Sequence, residues 1–354
     1  MIKKNEILSL GKKSLLLSFG VCLFAASTLN AAPEKLRVVG SWSSLSLYKE
    51  YEKPYWKKGF KKEFPKTKVR LSSLGQVKLK GAAVYRQLSK GVFDVVSTVG
   101  GYVISDSQTL AGLDFPAIAN DIQTAKKVVD AYSPILDEAL EKDFNSKLIS
   151  VVPYPSQVLF CKEKISSLAD LKGKKVRASG WTVAEFLDGV GATGITMSYS
   201  EVPQSLQRGV IDCAVTGSLS GYSSGWGEVS EYLYPLPIGG WAFVITAMNL
   251  DTWNSFSKDE QKKLVSSVNT QIVSPAWEKS NYETNEGEKC LTNRDCSYGK
   301  ANTMKLVEVK EADKELSRKV LIENVIPKWV EKVPADVVEK WNNTVGKVVD
   351  ITAK

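Results

Sequence analysis

Short β-branched runs alternate with stretches whose apolar residues recur at helical spacing, and this alternation does most to limit the folds open to the chain. Residues 35–40 (KLRVVG), 68–74 and 93–99 (FDVVSTV) read as strands, with helical periodicity over 47–64 and 79–90 between them. A long amphipathic helix is expected over 122–144, then a strand over 147–152. Extended segments follow at 157–161, 175–178, 195–199, 211–216 and 242–248, separated by helices near 182–190 and 202–208. From 258 to about 288 the pattern is helical for many turns, and helices over 312–332 and 335–348 close the chain. Strand and helix in succession predict an α/β protein with mostly parallel sheets.

The opening residues read as an export signal. Lys3, Lys4, Lys12 and Lys13 precede a short apolar run, residues 14–26 (SLLLSFGVCLFAA), and small residues lead to Ala31 and Ala32. That order of basic, apolar and small residues predicts a cleaved segment over 1–31 and a periplasmic mature protein. The run is too short to span a bilayer. The formal charge is +8, and the signal's four lysines against Glu6 carry three of those charges. The densest basic cluster, Lys57, Lys58, Lys61 and Lys62, alternates with Trp56, Phe60 and Phe64 as the solvated face of one helix; no nucleic-acid partner is expected.

Cys161, Cys213, Cys290 and Cys296 remain after the signal, an even number suited to an oxidising compartment. Three pairings are possible. The closeness of Cys290 and Cys296 favours that pair, with Cys161 joined to Cys213. The chain has no histidine, which excludes Ser-His-Asp and Cys-His nucleophilic catalysis and histidine metal sites. No metal or cofactor is expected.

Two motifs are decoys. Gly189-Val190-Gly191-Ala192-Thr193-Gly194 matches G-x-G-x-x-G, but it follows a helix and precedes a strand, the reverse of the dinucleotide fingerprint. Gly221-Tyr222-Ser223-Ser224-Gly225 matches G-x-S-x-G, yet a nucleophile elbow needs a histidine base.

One region carries a specific pattern. Residues 168–180 (LADLKGKKVRASG) are followed by a helix, Gly191-Ala192, a strand, and residues 200–212 (SEVPQSLQRGVID). These D-L-K-G-x-K-x-R and S-E-V…L-Q-x-G-x-x-D segments resemble, in order and spacing, the extracytoplasmic solute receptors of tripartite ATP-independent periplasmic (TRAP) transporters, the dicarboxylate-binding-protein family. Weaker similarity covers residues 88–94 (LSKGVFD) and 248–261 (MNLDTWNSFSKDEQ). The resemblance implies two α/β lobes, each a mixed sheet flanked by helices, joined by crossing strands and a long helix, with a ligand cleft between. Residues 32–154 and 241–280 are expected in lobe I, and 155–240 and 281–354 in lobe II. It also implies an arginine that pairs with a substrate carboxylate, here Arg177, and transporter membrane subunits as partners.

The chain departs from the family where a second arginine is common, at Gln157, and where an asparagine is common, at Thr216. A neutral amide in place of a cation favours a monocarboxylate over a dianion. Trp42, Trp181, Tyr199, Tyr154, Tyr222 and Trp241 fall near expected strand ends and crossings, and suggest flat apolar cleft walls. The expected function is therefore capture of a small organic acid, bulky or aromatic, without chemistry. Alternatives are a sensing receptor on the same fold, or a carboxylate-based enzyme using Glu185, Asp188, Glu201 or Asp212.

Overall fold

The computed structural model describes residues 32–354, so the expected signal segment, residues 1–31, lies outside the described residues. The strands are β1 (Lys35–Gly40), β2 (Lys68–Ser73), β3 (Val95–Val99), β4 (Ser146–Val152), β5 (Gln157–Cys161), β6 (Lys175–Ala178), β7 (Thr193–Thr196), β8 (Cys213–Gly217), β9 (Tyr232–Tyr234), β10 (Val244–Asn249) and β11 (Lys305–Leu306). They form two mixed sheets, ordered β2-β1-β3-β10-β4 and β11-β9-β5-β8-β6-β7. In the first, β1 runs parallel to β2 and β3, and β10 is antiparallel to both its neighbours. In the second, β6 is parallel to β7 and β8, and β5 is antiparallel to β8 and β9.

The fully buried strands β3, β5, β8 and β10 are the continuous apolar or small-residue runs of the sequence. Helices cover both sheet faces, as such runs require. The chain crosses between sheets twice on extended segments, from β4 to β5 and from β9 to β10. The helix Ser274–Leu291 spans both sheets: Trp277 Nε1 donates to Val151 O at 3.1 Å, while Ser218 Oγ donates to Thr284 O at 2.7 Å. Crossing strands and a long helix thus join the two α/β lobes.

Three details differ from the sequence reading. The strand expected to end at Tyr199 stops at Thr196, and Tyr199 opens the tight turn Tyr199–Glu201. The strands β9 and β11 were not foreseen; each is two or three residues long and gives no periodicity to read. The closing segment does not stay with the second sheet. From Ile326 onward it packs on the first, where Trp329 Nε1 donates to Gln108 O and Trp341 Nε1 to Gly112 O. These two indoles sit edge-on to buried Phe115, and burying them drives the return.

Both disulfides have the expected pairing. Cys161 and Cys213 are directly opposite on β5 and β8, and Cys290 and Cys296 close a short loop after the long helix. Chain-entropy loss scales with the loop closed, so the separations of 52 and 6 residues predict about 4 and about 2 kcal/mol of stabilisation respectively. Denaturant unfolding of Cys161→Ala/Cys213→Ala and of Cys290→Ala/Cys296→Ala is expected to show the larger loss in the first pair.

Candidate functional site

Parallel strands offer a site where their carboxyl ends converge. The ends of β1 and β3 in one sheet, and of β6, β7 and β8 in the other, face the same gap. Arg177, the third residue of β6, is 1% exposed. Its Nε donates to Met197 O at 3.0 Å and its Nη1 to Val215 O at 2.7 Å. The guanidinium lies 5.6 Å over the Trp226 ring. Its remaining nitrogen, Nη2, is buried and forms no well-aligned hydrogen bond, with the Tyr102 hydroxyl its polar neighbour. Among the described residues Arg177 forms no ion pair. Burial pushes its pKa below the ordinary arginine value, against the opposing effect of the neighbouring Tyr102 and Tyr199 hydroxyls.

A cavity of about 20 Å3 lies beside this guanidinium, lined by Trp42, Tyr102, Tyr154, Gln157, Tyr199 and Thr216, with Ser179, Ser220 and Ala242. Trp42 Nε1 and Tyr154 Oη are also buried and unpartnered. Three unspent donors therefore surround one small space, and buried donors seldom stay unpaired in native folds. Trp42 and Tyr199 face each other across the gap with ring centroids 5.9 Å apart. Behind Trp42, Glu52 is buried and accepts from Ser41 N and Ser41 Oγ, both at 2.7 Å; desolvation raises its pKa.

These features place a buried cation and two further donors beside a small cavity at the junction of two lobes. The model of the bacterial extracellular solute-binding proteins, family 7, matches residues 49–328. The chain belongs to that family. The uncharacterized protein YiiZ of Salmonella typhimurium is 25% identical over 195 residues, which is 53% of this chain and 59% of that protein. Less than two thirds of YiiZ is therefore aligned.

Solved structures share the fold. A TRAP periplasmic solute-binding protein from Desulfovibrio salexigens with bound orotic acid has a TM-score of 0.79 at 15% identity, covering 90% of this chain and 100% of that one. A Bordetella pertussis extracytoplasmic solute receptor binding pyroglutamic acid has 0.78 at 18%, covering 88% and 99%. A TRAP solute-binding protein from Shewanella oneidensis with bound succinate has 0.73 at 18%, covering 88% and 98%.

Of the residues singled out in the sequence, this family 7 protein brings Arg177, Gln157, Trp42, Tyr199, Thr216 and Tyr154 around one cavity. Gln157 Nε2 donates to Pro155 O at 2.6 Å, which commits one of its amide hydrogens. Trp181 stands apart, in an adjoining groove, with Nε1 on Glu185 and Lys332 over its ring. Tyr222 and Trp241 line neither space. Tyr222 Oη donates to Lys300 O, and buried Trp241 donates its Nε1 to Ala119 O, a fixed core role. Tyr102 and Trp226 were missed, because each sits in a short turn with no regular pattern around it.

The carboxylates weighed for catalysis are otherwise engaged. Glu185 pairs with Lys328 and Glu201 with Lys80; Asp188 accepts from Gly194 N and Asp212 from Lys175 N. The decoy glycines are a helix stop: Gly191, at φ +84°, follows the helix Trp181–Gly189 and precedes β7. Ser223 ends the helix Ser218–Ser223 and is exposed.

The close approach of the lobes requires a glycine at position 180. A Cβ at Gly180 would sit 2.7 Å from Gly101 O of the other lobe. Its backbone is extended, so an alanine is conformationally tolerated there and the obstacle is purely the facing lobe. Gly180→Ala is expected to hold the lobes apart, with an increased radius of gyration in small-angle scattering and an unchanged circular dichroism spectrum.

The second crossing is pinned by Asp114, whose carboxylate accepts from Trp241 N at 3.0 Å and Phe243 N at 3.4 Å. Desolvation outweighs these bonds and pushes its pKa up to about 7. The folded state therefore holds a proton that the unfolded chain, with an ordinary aspartate, releases from about pH 4. Stability from this group is present below that value and is lost as pH rises through about 7. Asp114→Asn is expected to flatten the fall of unfolding free energy between about pH 4 and 7, by up to about 1.4 kcal/mol per pH unit.

Proposed function

We propose that this protein is the periplasmic receptor of a TRAP uptake system, and that it captures a ring-bearing or otherwise bulky monocarboxylate on Arg177 as the lobes close. The observation that carries the reading is a buried guanidinium with an unspent Nη2 and no carboxylate partner, beside a cavity walled by residues of both lobes. An unpaired buried charge costs several kcal/mol, and a carboxylate seated against it returns much of that cost. The planar fork presents its hydrogens in the geometry a carboxylate accepts. Tyr154 Oη and Trp42 Nε1 supply further donors to the same anion.

One cation, with a neutral amide at Gln157, suits one negative charge. The aromatic walls formed by Trp42, Tyr102 and Tyr199 suit a flat apolar body. Orotic and pyroglutamic acids, held by two of the related proteins, are ring monocarboxylates; succinate, held by the third, is a dianion. The closed ligand complex is the form that transporter membrane subunits would receive, since both lobes contribute to its surface.

Titration calorimetry with aromatic and aliphatic acids tests the reading. A ring monocarboxylate is expected to bind more tightly than succinate, and Arg177→Ala to weaken it by about 100-fold or more. Binding of succinate alone overturns the preference for a bulky acid. Full affinity in Arg177→Ala overturns the anchor.

A further inference from the structure

The Arg177 pocket adjoins a much larger groove of about 1110 Å3, running between residues 74–84 and 98–108 of one lobe and 179–181 and 196–205 of the other. Trp42, Tyr102 and Ser179 line both spaces, so the two adjoin across these three side chains. Leu79, Val84, Ile104 and Met197 give the groove apolar walls, and the Lys80–Glu201 ion pair ties its two rims together. Such a volume exceeds what a short-chain acid occupies and matches the upper range of ordinary ligand pockets.

Three buried polar atoms on this groove have no hydrogen-bond partner: Trp42 Nε1, Thr98 Oγ1 and Gln108 Oε1. Thr98 is 1% exposed. Alternation along β3 sends Ser97 to the opposite face, where its hydroxyl meets Thr246 Oγ1 at 2.9 Å, and turns Thr98 toward the groove. A hydroxyl buried in this way without a partner has a cost that only a hydrogen bond removes.

We propose that the groove is a second subsite for the same ligand, taking its apolar body, with a hydroxyl or amide on that body bonded to Thr98 and Gln108. The inference rests on the Arg177 reading above and extends it to a ligand class: monocarboxylates carrying an aryl or alkyl body with a distal hydrogen-bonding group. Gln108 Oε1 accepts and Thr98 Oγ1 both gives and accepts, so the distal group must be able to donate.

Calorimetry with propanoate, 3-phenylpropanoate and 3-(4-hydroxyphenyl)propanoate tests it, on the wild type, Leu79→Trp and Thr98→Val. In the wild type the phenyl group is expected to raise affinity over propanoate at least about tenfold. Leu79→Trp, which fills the groove from a half-buried position, is expected to erase that gain and leave propanoate unchanged. Thr98→Val is expected to weaken the hydroxylated acid about fivefold and spare the unsubstituted one. Thermal unfolding confirms that each variant is folded. Equal binding of propanoate and 3-phenylpropanoate, or a gain that survives Leu79→Trp, overturns the subsite while Arg177 stands as the anchor. A hydroxylated acid indifferent to Thr98→Val overturns the polar contact. If none of the three acids binds the wild type, the anchor fails and the subsite with it.

Discussion

A guanidinium held in the interior with no internal counter-charge is the constraint around which the second lobe is arranged. An arginine so placed is costly unless its hydrogens find acceptors. The fold meets that demand with backbone rather than carboxylates: the carbonyls of Met197, just past the end of β7, and Val215, midway along β8, take two of the N–H groups. Trp226 supplies a ring face beneath, and Tyr199 and Phe160 pack against that indole in turn. The orientation of Arg177 is thereby fixed by the sheet itself. Lysine could not be substituted without loss, since a single ammonium has no planar fork to span the two flanking strands.

The pocket is built partly from the segments that join the lobes, so a ligand bound there would be coupled to closure. Tyr154 and Gln157 lie on or beside the first crossing, and Ala242, at φ +43°, lies on the second. Gln157 ties the crossings together, donating its N–H to Gly240 O and accepting from Gly239 N. Asp114 fixes the second crossing from the first lobe's side. A ligand that touches these residues therefore senses the relative position of the lobes directly. Differential affinity for the closed state is the only work such a ligand has to do.

Much of this was legible in sequence. The alternation of short apolar strands and amphipathic helices is a local property, and the helix Ile122–Phe144 and the strands Gln157–Cys161 and Lys175–Ala178 fall where their periodicity puts them. The strand position of Arg177 was legible because it lies in a segment, D-L-K-G-x-K-x-R, that resembles the family's pattern. What escaped depends on tertiary packing. Tyr102 and Trp226 sit in tight turns, so nothing local separates them from any exposed aromatic residue. Trp241 and Tyr222 have the same residue types near the same kinds of boundary, but their polar groups meet Ala119 O and Lys300 O, away from the cavity. The return of the C-terminal helices to the first lobe is likewise invisible locally, because it is decided by Trp329 and Trp341 finding Phe115 and two distant carbonyls.

That return adds a second place at which the helix Trp181–Gly189 and its leading residue meet first-lobe elements. Its N-terminal Gly180 meets Gly101 across the gap, while Glu185 and Trp181 receive Lys328 and Lys332 from the closing segment. The groove's rim adds Lys80 with Glu201. The Lys80–Glu201 and Lys328–Glu185 lysines are largely exposed, and ion pairs of that kind contribute about 1 kcal/mol or less each. Contacts of this strength guide the lobes into register without locking them. On the reading proposed above, the decisive term in closure is left to what lies inside, where a carboxylate against Arg177 would act in a low dielectric and be worth far more than any rim pair.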